Sequence, residues 1–117
     1  MENAVIIKAD GSIEPVRIEE WMEEKLAAAI EAEGVSRVWS HKLVSFGMSC
    51  KLAIMGYQDS RAAEKALPVN PLAEKLTQTA VQGSFLLTYW DSFRMSCGAM
   101  EPQEVERILE ELKNTLV

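Results

Sequence analysis

Val5-Ile6-Ile7-Lys8-Ala9-Asp10-Gly11-Ser12-Ile13-Glu14-Pro15-Val16 is the stretch that decides the fold. Two short apolar runs, Val5 to Ile7 and Ile13 through Val16 to Ile18, flank an Asp-Gly pair. Asp-Gly in that setting signals a β-hairpin, because glycine takes a positive φ without steric cost. Pro15 cannot donate a ladder hydrogen bond. The second strand is therefore expected at a sheet edge, or bulged at that point.

Outward from the hairpin the period changes. Ile18, Trp21, Met22, Leu26, Ala29 and Ile30 recur at three- and four-residue steps among glutamates, which predicts an amphipathic helix starting at Glu19. Glu19 and Glu20 suit its positive N-terminal end, and Gly34 is the expected stop. Residues 35–57 read as strands. Ser45-Phe46-Gly47-Met48-Ser49 alternates with a period of two, and Gly47 marks a bulge or a close backbone approach. Gln58-Asp59-Ser60 reads as a turn, and Arg61 to Ala66 as one helical turn or a loop.

In Leu67-Pro68-Val69-Asn70-Pro71 each proline fixes its own φ and pushes the preceding residue toward extended backbone. Asn70 has the form of an N-cap, with Pro71 at the first helical position and Leu72, Ala73 and Leu76 on one face. Gln82 to Trp90 reads as a strand, with Phe85-Leu86-Leu87 too continuous for one wet face, so it is expected to be central. Pro102 opens a last helix whose buried stripe is Val105, Ile108, Leu109, Leu112 and Leu116. The predicted architecture is a single α+β domain over residues 1–117. It has a mostly antiparallel sheet with an N-terminal hairpin, one long helix after it and a C-terminal amphipathic helix.

The chain has 117 residues, 48% hydrophobic and 26% charged, the balance of one ordered globular domain. No apolar run approaches the ~20 residues of a membrane span. The Met-Glu-Asn-Ala start lacks a basic, apolar leader, which predicts a cytoplasmic setting and no membrane partner. Cys50 and Cys97 fit no metal spacing and are expected to be reduced and unpaired.

Charge is unevenly placed. Residues 1–33 carry 9 acidic and 3 basic side chains, and residues 101–117 carry 5 and 2. Residues 34–100 carry 4 acidic and 7 basic ones, inside a total of −6. The plain reading is two solvated helix faces and scattered lysines. The functional reading is an anion-binding surface on strands and loops, where Arg37, Arg61 and Arg94 offer planar forks. The negative total excludes duplex nucleic acid as the expected partner and favours a small anion or nucleotide.

Trp39 and His41 stand near Arg37, and Tyr89, Trp90 and Phe93 near Arg94. An aromatic face beside an arginine can hold a base beside a phosphate. The plainer reading, which carries more weight, makes Trp21, Trp39 and Trp90 core anchors. His41 is the only histidine and has no nearby partner for a metal. Gln82-Gly83-Ser84-Phe85 lacks the second glycine of a nucleophile elbow. The candidate ligand- or partner-binding residues are therefore Arg37, Trp39, His41, Arg61, Tyr89 and Arg94, with no cofactor or metal expected. Were the chain an enzyme, His41, Glu64 and Asp91 would be its candidate acid–base groups.

Val5 to Glu14, Leu67-Pro68-Val69-Asn70-Pro71-Leu72-Ala73, Val81 to Leu87 and Asp91-Ser92-Phe93-Arg94, followed by an acidic closing helix, together resemble a known family. It comprises small uncharacterised proteins carried by phages, plasmids and gut bacteria, with an L-P-x-N loop, a G-x-x-L-I strand and a Phe-Arg element. That family usually carries a Gly-Gly-Tyr-Ile-Glu-like segment after its first helix, where this chain has Ala28-Ala29-Ile30-Glu31 and Gly34. The resemblance implies a mobile-element protein acting inside a bacterium. The expected function is a non-enzymatic binding protein. It would be a counter-defence inhibitor that blocks a host defence protein, as anti-CRISPR proteins do, or a sponge for a nucleotide signal. The alternatives are a small nucleotide-processing enzyme and a homo-oligomeric structural protein.

Overall fold

Lys8 and Ser12 close the first turn, the Lys8 amide donating to the Ser12 carbonyl at 2.9 Å. Gly11 takes the left-handed φ of +91° there, and Asp10 accepts from both the amide and the hydroxyl of Ser12. This turn joins β1 (Ala4–Ile7) to β2 (Ile13–Val16), paired antiparallel with Val5 opposite Pro15. The computed structural model describes residues 1–116. Five strands run in the order β2-β1-β5-β4-β3, where β3 is Val35–Val38, β4 is Ile54–Asp59 and β5 is Phe85–Asp91. Every pairing is antiparallel. A sixth strand, β6 (Ser96–Gly98), extends the β1 side of β5 beyond the end of β1. Pro15 is on an edge and Phe85-Leu86-Leu87 is central, as expected.

Among the described residues four helices flank the sheet, one more than the three that the sequence predicts. The first, α1 (Glu23–Ala29), is shorter than the periodicity predicts and starts later. Asn3 causes the delay: its side chain donates to the Ile18 carbonyl and accepts from the Ile18 amide, both at 2.9 Å, which holds residue 18 in strand-like pairing. Glu23 and Glu24, not Glu19 and Glu20, occupy the first turn. The helix ends before Glu31, which takes φ +56°, so Gly34 is not the stop.

The largest correction lies in residues 35–57. Only β3 and the start of β4 are strand, and His41–Ser49 forms α2. Ser40 caps it by accepting from the Leu43 amide at 3.1 Å. Strand alternation would put Phe46 and Met48 on one face. Instead Leu43, Gly47 and Cys50 are buried at helical spacing, Phe46 is half-buried and Met48 is 71% exposed. Gly47 does mark a close approach, since a Cβ there would lie 2.6 Å from the Leu52 carbonyl oxygen. The turn expected at Gln58-Asp59-Ser60 comes later: β4 continues to Asp59, and turns occupy residues 60–66.

Asn70 and Pro71 start α3 (Pro71–Thr77) as predicted, and α4 runs Pro102–Leu116. On α4, Val105, Ile108 and Leu112 are buried and Leu109 is half-buried. The Leu116 side chain lies outside the described residues. One core joins α2, α3 and α4 to one sheet face through Leu43, Leu72, Leu76, Ile108 and Leu112 against Val5, Ile7, Phe85 and Leu87. The other joins α1 to the opposite face through Leu26 and Ile30 against Ile6, Tyr57 and Leu86. Each fully buried aliphatic or Phe side chain contributes roughly 1.5–3 kcal/mol relative to exposure.

Candidate functional site

The β3–α2–β4 unit contains no Asp or Glu between Gly34 and Gln58, in a protein with 18 of them. Its charged side chains in that stretch are Arg37, Lys42 and Lys51, with His41 beside them. Where α2 hands over to β4, the chain turns through Lys51 at φ +58°. Arg107 of α4 braces this corner, donating to the Cys50 carbonyl at 3.1 Å.

An apolar cleft of about 430 Å³ opens at that corner. Val44 and Met48 of α2, Leu52, Ala53 and Ile54 of the incoming β4, and the two indoles of Trp39 and Trp90 form its walls. Lys51 stands on its rim. Trp39 is 56% exposed, so it is not the core anchor that its size suggests. Trp90 is half-buried and held by its backbone amide, which donates to the Ala53 carbonyl at 3.0 Å. The volume falls within the ~300–1,000 Å³ of sites that take small molecules.

Two of the predicted neighbourhoods meet here. The Arg37 guanidinium carbon lies 4.9 Å from the centre of the Trp90 ring, although 53 positions separate them in sequence. The His41 ring lies 5.4 Å from that of Trp39, tilted by 60°. Arg37 sits opposite Tyr57 in the β3–β4 ladder. Burial, with the Cys97 thiol beside it, holds the Tyr57 phenol well above the usual range, so it stays protonated.

The other predicted residues are placed elsewhere. Arg61 lies beyond the Asp59 end of β4, whereas Trp39 follows the opposite end of β3. There it bonds Glu33 at 3.2 Å and Glu64 at 3.0 Å. Tyr89 is half-buried and packs on the core under α2 and α4. Arg94 lies in the turn between β5 and β6, 3.8 Å from the Asp91 carboxylate, with its side chain 84% exposed. Asp91 accepts from the amides of Phe93 and Arg94 and so shapes that turn. Glu64, Asp91 and His41 therefore each have separate surroundings. Among the described residues, no group of three or more His, Cys, Asp or Glu side chains could hold a metal ion. No helix among them is long and apolar enough to cross a membrane.

Val44, Met48, Lys51, Leu52, Ala53 and Ile54 are the cleft residues that sequence reading does not single out as a site. The cue was the acid-free run around them, which becomes a wall only once residues 41–49 are helical. A scan against protein-family models found no match for the chain, and searches of curated proteins and of solved structures found none either.

Proposed function

We propose that this protein works by binding, and that the cleft between α2 and the start of β4 is where it binds. The observation that carries the reading is an apolar cleft of about 430 Å³ walled by two tryptophans, one of them 56% exposed. Exposing an indole and the adjoining Met48 side chain to water forgoes burial worth roughly 1.5–3 kcal/mol per large apolar group. A bound partner recovers that burial. The motif resemblance adds a setting: a phage- or plasmid-borne protein that restrains a host defence protein or withdraws a nucleotide signal.

Native mass spectrometry of the protein purified from bacterial cells tests the reading. Met48→Glu places a carboxylate on the cleft wall at an exposed position and leaves the core untouched. A retained mass that disappears in this variant supports the cleft as the site. Parent and variant emerging with the same mass, bare or loaded alike, overturn it.

A further inference from the structure

We propose that the ligand of this cleft is a small planar aromatic molecule carrying an anionic group, an inference that rests on the cleft being the binding site. Two observations lead to it. The walls offer π-faces: Trp39 and Trp90 line one cavity, and a flat ring laid against an indole gains more than its buried area alone provides. The lining carries one charged group, the cationic Lys51, and no carboxylate. Just outside the lining, Arg37 sits on Trp90 and the His41 ring packs against Trp39.

No carboxylate lines the cleft, and none occurs between Gly34 and Gln58. With a total charge of −6, the rest of the surface repels anions, so this corner is a local exception. Low-dielectric walls concentrate such a field on whatever enters. A neutral aromatic molecule would use the indoles and leave the cations solvated. An inorganic anion would use the cations and leave the indoles wet. Only a ligand with both parts uses the whole site.

The indole N–H resonances of Trp21, Trp39 and Trp90 give the readout, with Trp21 outside the cleft lining as the internal reference. The probes are adenosine 5′-monophosphate and indole-3-acetate, which supply the anion as a phosphate or a carboxylate. Adenosine, indole and inorganic phosphate are their stripped counterparts. The expected result is that at least one aromatic anion shifts Trp39 and Trp90, and that its stripped counterparts bind at least tenfold more weakly. Lys51→Glu should weaken the anion at least tenfold and leave its neutral aromatic counterpart unchanged. Which of the two anions binds identifies the source of the negative charge. Adenosine or indole binding as well as its anionic form overturns the inference while leaving the cleft as a binding site. Shifts confined to Trp21, or none with any probe, overturn the inference too. They also leave the cleft reading to stand or fall on the Met48→Glu comparison.

Discussion

The side-chain amide of Asn70 donates to the backbone carbonyl of Ile7 at 2.9 Å, across 63 positions of sequence. The same amide donates to the Gly83 carbonyl at 2.9 Å, and its oxygen accepts from the Ala73 amide at 3.1 Å. One fully buried side chain thus ties the hairpin, the approach to β5 and the first turn of α3. Asn70→Ala removes these three buried hydrogen bonds, and a buried backbone group left unpaired costs about 1–3 kcal/mol. Thermal or urea unfolding should show a loss of roughly 3 kcal/mol or more, a large part of the ~5–15 kcal/mol that a domain has. Asn70→Asp separates donation from volume. An ionised carboxylate cannot donate to either carbonyl, so its folded-state pKa must rise above the ordinary ~3.9. That variant should gain stability as pH falls from 7 toward about 4, unlike the parent.

The ring of Phe85 lies against the backbone of Gly56 in β4, and a Cβ there would clash with the Cζ edge of that ring. Gly56→Ala should cost about 1–3 kcal/mol by overpacking. Phe85→Leu removes the clashing ring. The double variant should lose clearly less than the sum of the singles, a coupling that a double-mutant cycle reads directly.

Much of the fold can be read from residues whose local chemistry agrees with their tertiary setting. Asp10-Gly11, Pro15 and Asn70-Pro71 each do in the structure what their side chains prescribe. His41–Ser49 is different. Ser, Gly and β-branched or aromatic residues give it no strong helical preference, and Phe46 and Met48 mimic a two-residue period. What makes it a helix is Ser40 at the cap and the burial of Leu43, Gly47 and Cys50 under the sheet, which is a tertiary effect. The candidate site was half legible for the same reason. Arg37, Trp39 and His41 stood close enough in sequence to be grouped. Met48 and Lys51 could join them only through α2, and Trp90 only through the pairing of β5 with β4. Arg61 attracted notice by its charge, which Glu33 and Glu64 engage at the far end of the sheet.

The Asp59 carboxylate should set part of the acid limb of stability. Its pKa is held below the usual range, first by the hydrogen bond from Lys65 at 2.8 Å and also by the Arg61 amide. A depressed folded-state pKa stabilises the protein above the unfolded value near 3.8, and the contribution is lost as pH falls through the folded value. Asp59→Asn should therefore lower Tm at pH 7 more than at pH 3. Equal losses at both would mean that the pair contributes nothing.

The two thiols should differ sharply in reactivity. Burial pushes the Cys50 thiol up to about 11, while Cys97 on β6 is half-buried. Thiolate is the reacting species, so Cys50 presents about one part in a thousand at pH 8. A disulfide reagent at pH 8 should titrate Cys97 first and Cys50 only on unfolding, with Cys97→Ser abolishing the fast phase. Two fast equivalents in the folded parent would show that the corner under α2 opens freely.

Arg37 and Trp90 supply the last test, because their contact joins strand β3 to β5 over the intervening β4. An exposed guanidinium over a half-buried indole is worth about 0.5–2 kcal/mol, so neither Arg37→Lys nor Arg37→Met should unfold the protein. The two variants separate charge from shape. Lysine keeps the charge but not the planar fork, and methionine keeps an apolar stem to cover Tyr57 without the charge. If the stacked guanidinium fixes the indole, both variants should shift the Trp90 N–H resonance and raise its acrylamide quenching, with Trp21 unchanged. Lysine should fall between arginine and methionine, because the ring still attracts an ammonium. If Arg37 instead spends its time in water, Trp90 will look the same in all three proteins.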